Sequence, residues 1–83
     1  MQILTNNFDS GPHKPGEVVL DVRNDWWKME VVFRVGGYFI YLLALVGDGK
    51  PAWTRLAADG GATPAGARLV ARNFWGEIAS DPP

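Results

Sequence analysis

The sequence predicts an α+β fold, an antiparallel β-meander of three to four strands with a C-terminal helix packed on one face. Three observations lead there. Apolar and polar side chains alternate with a period of two through residues 17–35, the period of a half-buried strand. Two turn signals, Asn24-Asp25 and Gly36-Gly37, divide the apolar runs at intervals that suit hairpins. Beyond Thr63-Pro64 the apolar period becomes that of an amphipathic helix.

Residues 1–16 read as a flexible arm or loop, because Thr5 to Gly16 is almost entirely turn and breaker chemistry. Ile3 and Leu4 could add a short edge strand there. A single domain then occupies 17–80, followed by a tail at 81–83. The first strand, about 17–23, sets Val18, Leu20 and Val22 against Val19, Asp21 and Arg23. Asn24-Asp25 suits a tight turn, since both residues tolerate positive φ. The second strand, about 26–35, sets Trp27, Met29, Val31, Phe33 and Val35 against Trp26, Lys28, Glu30 and Arg34. Gly36-Gly37 is the pair a type I′ turn accepts most easily, and the third strand is expected over about 38–46.

These turns fix an expected register. The second hairpin pairs Val35 with Tyr38, Phe33 with Ile40, Val31 with Leu42 and Met29 with Ala44. The first pairs Val22 with Trp27, Leu20 with Met29 and Val18 with Val31. Both put the same middle-strand residues on one face, an agreement that a one-residue slip would destroy. That face carries Val18, Leu20, Val22, Trp27, Met29, Val31, Phe33, Val35, Ile40, Leu42, Ala44 and Val46. On the other, Asp21 meets Lys28 in a favourable charge pair.

Gly47-Asp48-Gly49-Lys50 is a further turn, and 51–57 is expected as a fourth, edge strand opened by Pro51, with a short helix as the alternative. Asp59-Gly60-Gly61 reads as a break. The helix is expected over about 64–79, with Thr63 as N-cap and Pro64 in the first position. Ala67, Val70, Ala71, Phe74, Trp75 and Ile78 fall within an arc of roughly 140° at the helical period, the width of a core-facing stripe. Arg68 and Arg72 lie outside it, one turn apart, where solvation is a better account than contact with an acidic partner.

At 83 residues the chain has room for one thin core. With a net charge of −1, no global field draws it to nucleic acid or membrane, and without cysteine it has no disulfide framework and no thiolate chemistry. The opening residues lack a signal-peptide pattern and the longest apolar run is too short to span a bilayer, so the expected location is the cytoplasm.

One helix shelters one side of a sheet. The reverse face is expected to carry Val19, Trp26, Val32, Phe39, Tyr41, Leu43 and Leu45, ringed by Asp21, Arg23, Lys28, Glu30 and Arg34. Fully exposed, that set would exceed about 400 Å² of contiguous apolar surface, more than monomers usually leave bare. Three coverings compete. The first is internal, by Ile3, Leu4 and Phe8 of the arm or by the Trp53 segment. The second and preferred one is a partner protein, with a second copy of the chain first, through Trp26, Val32, Arg34, Phe39, Tyr41, Leu43 and Leu45. The third is single-stranded nucleic acid stacked on Phe39 and Tyr41, with Arg23, Lys28 and Arg34 at the phosphates.

Catalytic chemistry finds little footing. His13, the sole histidine, sits between Pro12 and Lys14 and reads as an exposed spectator. The acidic residues fall mostly at turns, no metal-ligand cluster is spaced for chelation, and no cofactor motif is present. The sequence-level expectation is therefore a non-catalytic protein-binding module, a small accessory, inhibitor or immunity-type protein of the sort that phages and mobile elements encode.

Overall fold

The computed structural model describes residues 2–45 and 51–81, with side chains for 2–45 and 60–81. The expected turn at 47–50, Val46, the Trp53 side chain and the last two prolines lie outside the described residues. In chain order the elements are β1 (Gln2–Asn6), β2 (Val18–Arg23), β3 (Trp27–Arg34), β4 (Gly37–Leu45), β5 (Pro51–Gly61) and α1 (Pro64–Ile78). The strands form one antiparallel sheet in the order β1-β2-β3-β4-β5, an uninterrupted meander. The predicted α+β architecture is therefore present, with five strands where three to four were expected. Residues 51–57 are strand rather than helix, and β5 runs on through the expected break to Gly61.

The register differs from the expected one in both hairpins, for local reasons. Asn24 pins the first. Its Oδ1 accepts from the backbone N–H groups of Trp26 and Trp27, each at 2.8 Å, while its own N–H donates to the Trp27 carbonyl at 2.9 Å. An asparagine so bonded is the corner residue of the turn. The two-residue loop is thus Asp25-Trp26, and Val22 pairs with Met29 rather than Trp27.

In the second hairpin Arg34 pairs with Gly37, so the loop is Val35-Gly36. Gly36 has φ +104°, and among the described residues none other than glycine has positive φ. Positive φ at only the second central residue is the type II pattern; type I′ needs it at both. Gly37 opens β4 opposite Arg34, and glycine is needed there because a Cβ would stand 2.6 Å from the Gly61 carbonyl oxygen on β5. Moving a hairpin loop by one residue shifts the paired strand by two, so each side chain keeps its face. Met29, Val31 and Phe33 still share a side with Leu42, Ile40 and Tyr38.

Three residues do change place. A bulge between Val18 and Leu20 turns Val19, expected on the reverse face, fully into the helix-side core, while Val18 comes into register with Val32. A β-bulge adds one residue to one strand, which is what flips the alternation here. Val35, expected in the core, sits in the turn and is 87% exposed. β5 carries three such irregularities against β4, skipping Thr54, Ala57 and Gly60; bulges bend a strand and increase its twist.

The helix begins as predicted. Thr63 is the N-cap, with its Oγ1 accepting from the Gly66 N–H at 3.1 Å, and Pro64 takes the first position. Its last turn closes with the Ala79 N–H on the Trp75 carbonyl at 2.9 Å. Ala67 and Ala71 are completely buried, small enough to let the helix settle closely on the sheet, while Val70, Phe74 and Trp75 pack around them. Met29, Val31, Ile40 and Tyr38 form the sheet side of this core together with Val19 and Val22. Each fully buried aliphatic side chain there stabilises by about 1.5–3 kcal/mol relative to exposure. α1 rests mainly on β5, then on β4 and β3.

The stretch read as an arm is tied down. β1 pairs with β2, which bears out the edge strand at Ile3 and Leu4. Beyond it, the Asn7 N–H bonds the Val19 carbonyl at 2.7 Å, and Phe8 is buried in the helix-side core. His13 is half-buried rather than a spectator. Its Nδ1 lies 2.6 Å from the Tyr38 hydroxyl and its Nε2 lies 2.7 Å from the Asn7 carbonyl. Because a carbonyl can only accept, Nε2 carries the proton and Nδ1 accepts from Tyr38 in the neutral ring. Phe33 and Tyr38 pack beside it, their rings tilted to each other with centroids 4.9 Å apart.

Candidate interaction face

The meander aligns alternate residues of β2, β3 and β4 across the side of the sheet away from α1. Asp21 pairs with Glu30 and Glu30 with Tyr41; Arg23 pairs with Lys28 and Lys28 with Leu43; Val32 pairs with Phe39. Six of the seven residues expected to meet a partner therefore belong to one face, and Trp26 joins them at its end. Trp26 lies in the β2–β3 turn, where its carbonyl accepts from the Leu45 N–H at 2.8 Å and its side chain remains 40% exposed.

Depth separates them. Val32 and Leu43 are only 6% and 2% exposed, although neither belongs to the helix-side core cluster. They support the face from beneath rather than present it. Phe39, Tyr41 and Leu45 are half-buried, and Arg34 is exposed. The internal covering by the N-terminal segment does not occur: β1 extends the sheet sideways, with Ile3 and Leu4 at 53% and 44% exposure, and Phe8 packs on the opposite side.

The charges around this face are engaged with one another. Lys28 Nζ lies 3.6 Å from Asp21 Oδ2 and 3.7 Å from Glu30 Oε2, so one ammonium is shared by two carboxylates. The expected Asp21–Lys28 pair is present, reached diagonally because the register places Asp21 opposite Glu30. Burial pushes the Glu30 carboxyl above its ordinary value; Lys28 draws it back and Asp21 adds to the rise. Asp21 Oδ1 is buried without a hydrogen-bond partner, a cost the fold carries elsewhere. Arg34 Nε donates to the Tyr41 hydroxyl at 2.8 Å, with its guanidinium carbon 5.5 Å from the ring centroid. Of the three cations considered for phosphate contact, only Arg23 has neither an ion pair nor a side-chain hydrogen bond among the described residues.

Sequence reasoning missed the surfaces that are most open. Ile3, Leu4, Val35 and Leu69 exceed every half-buried member of the reverse face in exposure. The signal for Ile3 and Leu4 was present, since an apolar pair on an edge strand has no second strand to shelter it. For Leu69, the helical period places it opposite the buried stripe. Among the described residues no group of three or more His, Cys, Asp or Glu side chains is placed to hold a metal ion, and no helix is long and apolar enough to cross a membrane. No protein-family model matches the chain, and comparison with curated proteins and with solved structures gave no match.

Proposed function

We propose that this chain is a non-catalytic protein-binding module whose reverse sheet face takes a partner protein, a second copy of the chain first. What supports the reading most is the one-sided layering: α1 lies against β5, β4 and β3 from one side, while Phe39, Tyr41 and Leu45 stand half-buried on the other beside an exposed Trp26. An aromatic centre above a charged rim of Asp21, Lys28, Glu30 and Arg34 has the anatomy of an interface, where Tyr, Trp and Arg carry most of the energy. Self-pairing about a twofold axis is the commonest way for a small chain to cover such a face. Accessory, inhibitor and immunity roles all employ modules of this kind, in whatever compartment the partner occupies.

Single-stranded nucleic acid is the weaker reading, because Lys28 stands between two carboxylates and Arg34 is committed to Tyr41. The test is concentration-dependent sedimentation of wild type beside Phe39→Asp and Trp26→Ala. Wild type should associate reversibly and both variants should shift toward monomer while keeping native circular dichroism. Leu43 is unsuitable for this purpose, since a charge at a residue 2% exposed attacks the fold itself. A wild type that stays monomeric at millimolar concentration removes self-association from the proposal.

A further inference from the structure

The helix layer covers only part of the sheet. α1 rests on β5, β4 and β3, so β1 and the outer part of β2 extend beyond it as a strip that Phe8 covers in part. A groove of about 270 Å³ runs along this strip. Of its apolar lining, Ile3, Leu20 and Trp75 are accessible, while Phe8, Val22, Met29 and Ala71 are buried.

Arg68 and Arg72 line the same groove from α1. Arg72 has no hydrogen-bond or ion-pair partner among the described residues. Arg68 meets only Asp9, at 3.5 Å, with both side chains largely exposed, and such a pair contributes little. The helical period sets Arg68, Arg72 and Trp75 on one flank of α1, the flank that borders the groove.

We propose that this groove docks an amphipathic helix of a partner protein, one with an apolar stripe for Ile3, Leu20 and Trp75 and acidic residues for Arg68 and Arg72. Helix-in-groove recognition uses apolar pockets for one stripe of side chains and a charged border, and the accessible Ile3, Leu20 and Trp75 beside Arg68 and Arg72 supply both. A second copy of this chain fits poorly. The one helix among its described residues already spends its apolar stripe on its own sheet and would bring Arg68 and Arg72 against their own kind. This surface lies across the sheet from the proposed self-association face, so either can fail without the other.

The probe is a labelled synthetic peptide of about twenty residues, long enough to be helical, with leucines along one stripe and glutamates on the neighbouring flank. A matched peptide carries lysines in place of the glutamates. Fluorescence anisotropy should give the acidic peptide an advantage of about tenfold, the sum of two exposed ion pairs made rather than repelled. Arg68→Glu/Arg72→Glu should reverse the preference, Ile3→Asp should weaken both peptides, and Phe39→Asp on the far face should bind as wild type does. Equal binding of the two peptides, no saturable binding of either, or a charge swap without effect would overturn the proposal. So would tighter binding of an oligothymidine that the same swap abolishes, since the arginines would then serve phosphate.

Discussion

Replacing Gly37 by alanine separates the register of the β3–β4 hairpin from the one its glycine pair suggests. At φ +141° an L side chain is strained, at a cost of about 1–3 kcal/mol. A Cβ would also stand 2.6 Å from the Gly61 carbonyl oxygen and 3.3 Å from its carbon, and both are backbone atoms that can retreat only by opening the β4–β5 ladder. The neighbouring Gly36→Ala meets nothing within 4 Å and carries only the strain of φ +104°. Gly37→Ala should therefore cost about 3–5 kcal/mol, strain plus a clash of the size that overpacking brings, against about 1–3 kcal/mol for Gly36→Ala. Urea unfolding measures both, and a difference of about 2 kcal/mol corresponds to a gap of roughly 8–16 °C in Tm for a domain of this size. Were Gly36-Gly37 the turn pair, both positions would be open and the two substitutions would cost alike. Equal losses would refute the register and the approach of β4 to Gly61 with it.

Other expectations follow from particular contacts. Asn24→Ala removes two turn bonds and the bond from Nδ2 to the Ala79 carbonyl at 2.8 Å, and should lower stability by about 1.5–3 kcal/mol in urea unfolding. Asn24→Asp should recover only part of this, since it keeps the turn acceptor but sets a negative charge by the helix C-terminus. Tyr38 is an acid whose pKa burial raises, with Glu17 adding to the rise, so its neutral form is favoured in the fold. Wild-type stability should thus hold below the ordinary tyrosine value near 10 and fall as pH climbs past it, while Tyr38→Phe should lose about 1 kcal/mol at neutral pH and show a shallower alkaline fall. Glu30 has a raised pKa for the same first reason, so its contribution is complete below the ordinary glutamate range and is lost as pH rises through the raised value. Glu30→Gln should consequently be neutral or stabilising by no more than about 1 kcal/mol at pH 7, an advantage that disappears near pH 4 in parallel unfolding series. Thr63→Ala should cost about 1 kcal/mol by removing the cap on the Gly66 N–H.

The parts of this fold legible in the sequence are those fixed by period and punctuation. Alternation placed β2, β3 and β4 to within a residue or two, and the Thr63-Pro64 pair marked the start of α1. Face assignment survived two misplaced turns because a loop shift of one residue moves partners by two. What stayed hidden depended on single bonds or on distant chain. The Asn24 side chain chose its own turn through bonds that include Ala79, more than fifty residues away. The bulge at Val19 has no local signature, since valine suits either face of a strand. His13 read as a spectator because its partner, Tyr38, comes beside it only when β4 is in place. For the candidate face, membership was legible but depth was not: Val32 and Leu43 lie on the same face as Phe39 and Tyr41, yet only packing decides which of them reach the surface.

The central claim, that the reverse sheet face is where this chain meets a partner and first of all itself, is tested most directly by isotope-filtered NMR on an equal mixture of carbon-13-labelled and unlabelled protein. Intermolecular contacts should join the rings of Phe39 and Tyr41 and the methyls of Leu45 in one molecule to the same face of another, and vanish in Phe39→Asp. Intermolecular contacts confined to β1, or none from this face at a concentration where sedimentation reports a dimer, would contradict it.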